Sequence, residues 1–186
     1  MTILTIYAEN NPDHGETFTD YAKIKEQLSA LDVEFERWNA HTVLPAAADQ
    51  ATILEAYKKS IDKLSKQYTF KSIDVISVHQ DHPERDNLRQ KFLAEHIHDD
   101  FEIRFFIQGK GLFYLHIDQK VYAVLCEHGD LISVPSNTPH WFDMGAEPDL
   151  KCIRLFTIKE GWVASFTGST ISQSFPSLDE FVAAHS

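Results

Sequence analysis

The chain has 186 residues, 43% of them hydrophobic, and a formal net charge of -11. That length and apolar content support one sizeable core, while the charge argues against a general nucleic-acid surface or an anionic membrane, both of which call for clustered Lys and Arg. No leader-like basic-then-apolar pattern opens the chain and no apolar run approaches spanning length, so the expectation is a cytoplasmic protein without membrane or nucleic-acid partners.

TILTIYA (2–8) reads as a strand. From Thr17 to Leu31 the apolar residues Phe18, Tyr21, Ile24, Leu28 and Leu31 recur at three and four, which predicts an amphipathic helix. VEFERW (33–38) alternates like a strand. Asp49 is the expected N-cap of a second helix running to about Lys66 through Ile53, Leu54, Tyr57, Ile61 and Leu64. Strand-like KSIDVISV (71–78) and a short helix from Pro83 to about Leu93 follow.

From residue 96 short strand candidates recur, separated by expected turns at Gly109-Lys110-Gly111, Asp118-Gln119, Glu127 to Asp130, Pro135 to Pro139 and Gly145 to Asp149. That spacing predicts an antiparallel sandwich or small barrel. Cys126 and Cys152 sit in strand-like runs and read as two buried thiols. PSLDEFVAA predicts a closing helix, with Ser177 and Glu180 in a capping-box pattern. The whole, 1–186, reads as one domain with a mixed N-terminal part packed on a β-barrel over about 70–165.

Chemistry concentrates in HIHDDFEIR (96–104), which then runs straight into apolar, strand-like sequence. In an extended segment His96 and His98 share a face with Cα atoms about 6.6 Å apart, so their imidazoles can converge on one cation. Glu102 would lie roughly 13 Å away if the strand ran straight, so a break at Asp99-Asp100 is expected to fold it back. His140 follows the turn VPSNTPH, framed by Pro135 and Pro139. Three neutral imidazoles and one carboxylate suit Fe, Ni, Co, Mn or Zn better than Mg or Ca, and around a divalent ion they leave a net positive site that favours an anionic ligand. Arg104 should share the face of Glu102, and Arg154 sits mid-strand in KCIRLFTI, where an unpaired cation is expensive; each arginine suits either a buried ion pair or an anionic substrate. Phe142 shares the face of His140 and, with Phe92 and Trp162, can enclose an apolar tail or simply pack the core. Of the other histidines (14, 41, 79, 82, 116, 128 and 185), His79 and His82 invite comparison with a metal pair, but they precede Pro83 in a turn.

His96-x-His98-x3-Glu102-x6-Gly109, followed by Gly129-x5-Pro135-x4-His140, resembles the paired motifs of the cupin superfamily. Gln90 stands where the first motif usually opens with Gly, and Asn137 and Met144 stand where the second usually carries Gly and Asn. KFLAEHIHDDFEIRFFIQGKGLFYLHI, DLISVPSNTPHWFDMG and KCIRLFT are more specifically similar to the acireductone dioxygenase family, over roughly residues 70 to 165. The resemblance implies a mainly β fold, a cupin-type jelly-roll barrel with N-terminal helices outside it. It implies one Fe(II) or Ni(II) per chain, held at the positions of His96, His98, Glu102 and His140. It implies O₂ and the enediol 1,2-dihydroxy-3-keto-5-methylthiopentene as substrates in methionine salvage; an anionic enediolate would in turn account for Arg104 and Arg154 as its charge partners. Iron in that family yields formate and 4-methylthio-2-oxobutanoate; nickel yields CO, formate and 3-methylthiopropionate. A monomer is expected. The rival readings are a sugar-phosphate isomerase using the same ligands, which calls for a phosphate-binding cluster at the barrel mouth, and a metal-sensing cupin without catalysis.

Overall fold

The computed structural model describes residues 1–40, 42, 44, 45 and 48–186; His41 lies outside them. Antiparallel pairing links β1 (Ile3–Ala8), β2 (Asn11–Phe18), β3 (Glu34–Arg37), β4 (Ser72–His79), β5 (His96–Ile97), β6 (Glu102–Ile117), β7 (Lys120–Glu127), β8 (Asp130–Val134), β9 (His140–Asp143), β10 (Asp149–Phe156) and β11 (Ser165–Phe166). One run of neighbours is β11-β5-β9-β6-β7-β1-β2. The other passes from β4 through β10 to β6 and from β6 through β8 to β3. This is the mostly antiparallel, cupin-type architecture that the spacing of turns predicts.

β6 belongs to both runs. Its first half pairs with β8 and β10, its second half with β7 and β9. Glu102, Arg104 and Phe106 point to the inner side, and Ile103, Phe105 and Ile107 join an outer cluster with Ile53, Tyr57, Ile61 and Leu64. Beyond the bend the parity is reversed: Phe113 and Leu115 join the inner cluster, while Leu112 and Tyr114 pack outside on Phe175, Leu178 and Phe181. A register shift opposite Lys151 and Cys152 supplies the extra residue that flips the faces. Gly109 takes the corner at φ 70°, where a Cβ would lie 1.5 Å from the Asp149 carbonyl oxygen. The turn expected at 109–111 is therefore a corner inside a continuous strand. The hairpin that follows it does turn, with Asp118 and Gln119 both at positive φ, the geometry of a two-residue I′ connection.

The helices are α1 (Tyr21–Ser29), α2 (Gln50–Ala56), α3 (Lys58–Leu64), α4 (Arg85–Leu93) and α5 (Leu178–Ala184). Three expectations shift. Thr17 and Phe18 end β2, a mostly exposed polar strand with no apolar alternation to reveal it, and α1 starts after the Asp20 cap. The helix expected from 49 to 66 is two, because Tyr57 breaks it: its ring packs edge-on to Phe105 and its hydroxyl donates to the Ala40 carbonyl. α2 and α3 do cover the outer face of β6, but α1 also feeds Ile24 and Leu28 into the inner cluster. The Asp49 cap and the Ser177/Glu180 capping box form as expected.

Candidate metal centre

The segment 96–102 folds back as its spacing requires. β5 ends at Ile97, and β6 begins only at Glu102. Asp100, buried in the intervening turn, accepts from Phe101 N–H at 2.8 Å, Ile158 N–H at 2.9 Å, and the backbone and hydroxyl of Thr157. The turn is thereby fastened to the end of β10. On the other side His96 pairs directly with His140 of β9. The proline-framed turn before it holds Asn137 at φ 59°, with its N–H donating to the His98 carbonyl at 2.8 Å. That left-handed conformation explains why Gly is usual there and why Asn, the most tolerant substitute, serves.

His96, His98, Glu102 and His140 are all buried, and their ligand atoms lie within 4.8 Å of one another. Each imidazole spends its Nδ1 on a backbone carbonyl: His96 on Ala94 at 2.7 Å, His98 on Val163 at 2.9 Å, His140 on Thr138 at 2.7 Å. A carbonyl only accepts, so Nδ1 carries the proton and the neutral ring offers its Nε2 lone pair. Two of these Nε2 atoms face Glu102 Oε2, at 2.8 Å from His140 and 3.3 Å from His98. Lone pairs converging on a carboxylate need a cation between them. A divalent ion fits this donor set, and the carbonyls are the outer partners that fix such ligands.

The electrostatics differ from ring to ring. Burial, and the His140 ring beside it, push His96 down to about 4, so it stays neutral. Burial also pulls on His98, but its contacts with Glu102 outweigh that and raise it, so a cation binding there competes with a proton on that ring. Burial opposes ionisation of Glu102, yet Arg104, His140 and His98 hold its carboxyl well below the usual range. Arg104 donates to Glu102 Oε1 through Nε at 2.6 Å and Nη2 at 2.5 Å.

A cavity of about 460 Å³ opens beside this centre. His96, His98, Glu102, Arg104 and Arg154 supply its polar wall; Phe92 and Trp162 are among its apolar lining. Arg154 is also clamped to Asp74, its cross-strand neighbour, at 2.8 and 2.7 Å. Phe142, only 1% exposed, stands behind Arg104 and does not line the cavity. Asp74, Phe113, Val163 and the cavity-lining Lys91 carried no signal in the sequence: strand register alone brings Asp74 to Arg154, and a carbonyl acceptor such as that of Val163 has no side-chain signature. His79 contacts Ser77 and Asp149, while His82 accepts from the Glu84 N–H, so among the described residues the two have different partners. Cys126 and Cys152 are free and buried.

The profile of the ARD/ARD′ family matches residues 3–164. An acireductone dioxygenase of Methylococcus capsulatus is 55% identical over 182 residues, 98% of both chains. One of Aquifex aeolicus is 52% identical, covering 98% of this chain and 99% of that one. Among solved structures, the acireductone dioxygenase from Bacillus anthracis with a cadmium ion in its active centre superposes with a TM-score of 0.81 at 31% identity, covering 89% of this chain and 98% of that one.

Proposed function

The chain belongs to the ARD/ARD′ family of acireductone dioxygenases, and from that premise we propose that His96, His98, Glu102 and His140 hold one Fe(II) or Ni(II) per chain. The observation that carries the ligand set is the convergence of carbonyl-anchored imidazoles on one buried carboxylate oxygen. A divalent ion held there would supply Lewis acidity and a point of chelation for the enediolate.

The chain's own residues do the rest. Arg104 lines the cavity beside Glu102 and sets positive charge near the substrate's negative oxygen. Arg154, steadied by Asp74, adds positive charge at the same wall. Phe92 and Trp162 receive the methylthio tail, and the mostly apolar wall limits water at the reacting carbons. The substrate is 1,2-dihydroxy-3-keto-5-methylthiopentene, cleaved with O₂ to formate and 4-methylthio-2-oxobutanoate in the iron form. In the nickel form the products are CO, formate and 3-methylthiopropionate. We place the enzyme in methionine salvage, as a cytoplasmic monomer. Among the described residues no helix is long and apolar enough to cross a membrane.

The test is apo-protein reconstituted separately with Fe(II) and Ni(II), each checked for metal content. CO is expected from the nickel preparation alone. Identical products from both would contradict metal-controlled outcome in this chain.

A further inference from the structure

One wall of the cavity is a strap, residues 162–167, with little of its own to hold it. Trp162, Val163, Ala164 and Phe166 line the cavity, yet Trp162, Val163 and Phe166 are each about half exposed. Phe166 sets its ring edge-on to the His96 imidazole at 6.0 Å. β11 pairs with β5 through two residues, Ser165 opposite Ile97 and Phe166 opposite His96, and a ladder that short is marginal by itself. Among the described residues, Thr167 is where a strap side chain bonds to the body of the protein. Its hydroxyl donates to Glu95 Oε1 at 2.6 Å, and its N–H donates to the Glu95 carbonyl at 3.1 Å.

Glu95 is 4% exposed and stands outside the four-residue ligand group, although it directly precedes His96. Its second oxygen meets His116 Nδ1 at 2.8 Å, and His116 Nε2 meets Glu9 Oε2 at 2.9 Å. Carboxylates only accept, so both ring nitrogens donate and the imidazolium holds Glu95 in place. His116 is itself fixed in β6, its N–H donating to the Pro139 carbonyl at 2.8 Å. One oxygen of a buried carboxylate is thus tied to the barrel and the other to the exposed strap.

We propose that Glu95, steadied by His116, latches Thr167 and so sets how closely the strap walls the cavity. Glu95 and Thr167 are then positioning residues that act through Trp162 and Phe166 and limit the substrate tail the cavity accepts. The inference rests on the acireductone reading.

The test is Thr167→Val, which exchanges the hydroxyl for a methyl at an exposed position, beside Thr167→Ser, which keeps the hydroxyl. In metal-loaded Thr167→Val, amide exchange at 165–167 should quicken by about three- to tenfold, the worth of one hydrogen bond. KM for acireductone should rise by a similar factor, with kcat per bound metal nearly unchanged. The preference in kcat/KM for acireductone over an analogue with a tail longer by a butyl unit should fall by about threefold or more. That ratio is indifferent to metal loss or partial unfolding, since both rates come from one preparation. Thr167→Ser should match wild type in all of these. An unchanged exchange rate or an unchanged ratio in Thr167→Val overturns the latch, and so does a loss that Thr167→Ser shares. Metal-loaded wild-type protein that consumes no acireductone removes the functional reading and this inference with it. Wild-type turnover with an unchanged ratio removes the latch alone.

Discussion

Arg104→Met removes a guanidinium that lines the cavity and pairs with Glu102; on the proposed role it also removes a charge-assisted interaction with substrate, worth about 1.5–3 kcal/mol. The expected loss is roughly 10- to 150-fold in kcat/KM. Arg154→Met should cost less, about tenfold, because Asp74 already takes two of that arginine's N–H groups. Unaltered kinetics in both variants would make the arginines structural. Single Ala replacements of His96, His98, Glu102 or His140 should lower bound metal well below one per chain, as read by elemental analysis; full occupancy in two or more would refute the ligand set. These side chains were legible in sequence because ligands must be particular residue types at workable spacing. Their supports were not. The tautomer of His98 is set by the Val163 carbonyl, which any residue could supply, and the partner of Arg154 follows from a cross-strand register that no local pattern encodes. Phe142 shows the limit of face-sharing arguments: it does follow His140 by two, but its ring stops at Arg104.

Three elements meet at Asp143, at the end of β9. Its buried carboxylate accepts two N–H groups of Arg89 on α4, at 2.8 and 3.0 Å, the Gly145 N–H, and the Leu178 N–H that opens α5. Burial tends to raise this carboxyl, but Arg89 and the two backbone donors bring it below its ordinary 3.8. A lowered folded value means the stabilisation is complete above the unfolded pKa and disappears as pH falls through the folded one. Asp143→Asn should therefore cost about 3 kcal/mol near neutral pH, the low end for a broken buried pair because Arg89 keeps some solvent. It should also flatten the acid limb of stability below about pH 4, which denaturant titrations across pH will show; an unchanged acid limb would remove Asp143 from the account. At the β6 corner, Gly109→Ala should destabilise by more than about 2 kcal/mol, since strain at positive φ adds to overlap with the Asp149 carbonyl. Elements with strong periodicity and caps were legible. The corner was not, because Gly-Lys-Gly marks a turn and a bent strand alike. Nor was β2, whose mostly polar sequence pairs with β1.

Across the whole molecule the inner cluster draws on α1, both halves of β6 and strands β1, β3, β4, β7, β8, β9 and β10. We propose that 1–186 unfolds as one cooperative unit, so calorimetry should give a single transition. Metal held at a hundredfold excess over its Kd should stabilise it by about 2.7 kcal/mol, raising Tm by roughly 5–10 °C, and a chelator should reverse the shift. The barrel was legible at this scale because regular turns and paired motifs specify a closed antiparallel sheet. How the N-terminal third attaches was only partly so, since an amphipathic pattern states that a helix has a partner but not which face of the barrel it meets. One buried four-residue site is the proposed centre of acireductone cleavage. The most direct measurement titrates apo-protein with Fe(II) under O₂ while following acireductone and O₂ consumption together. The two substrates should disappear in equal amounts, at a rate that rises linearly and breaks at one iron per chain. Full activity without metal, a break elsewhere, or no consumption above the uncatalysed rate would contradict it.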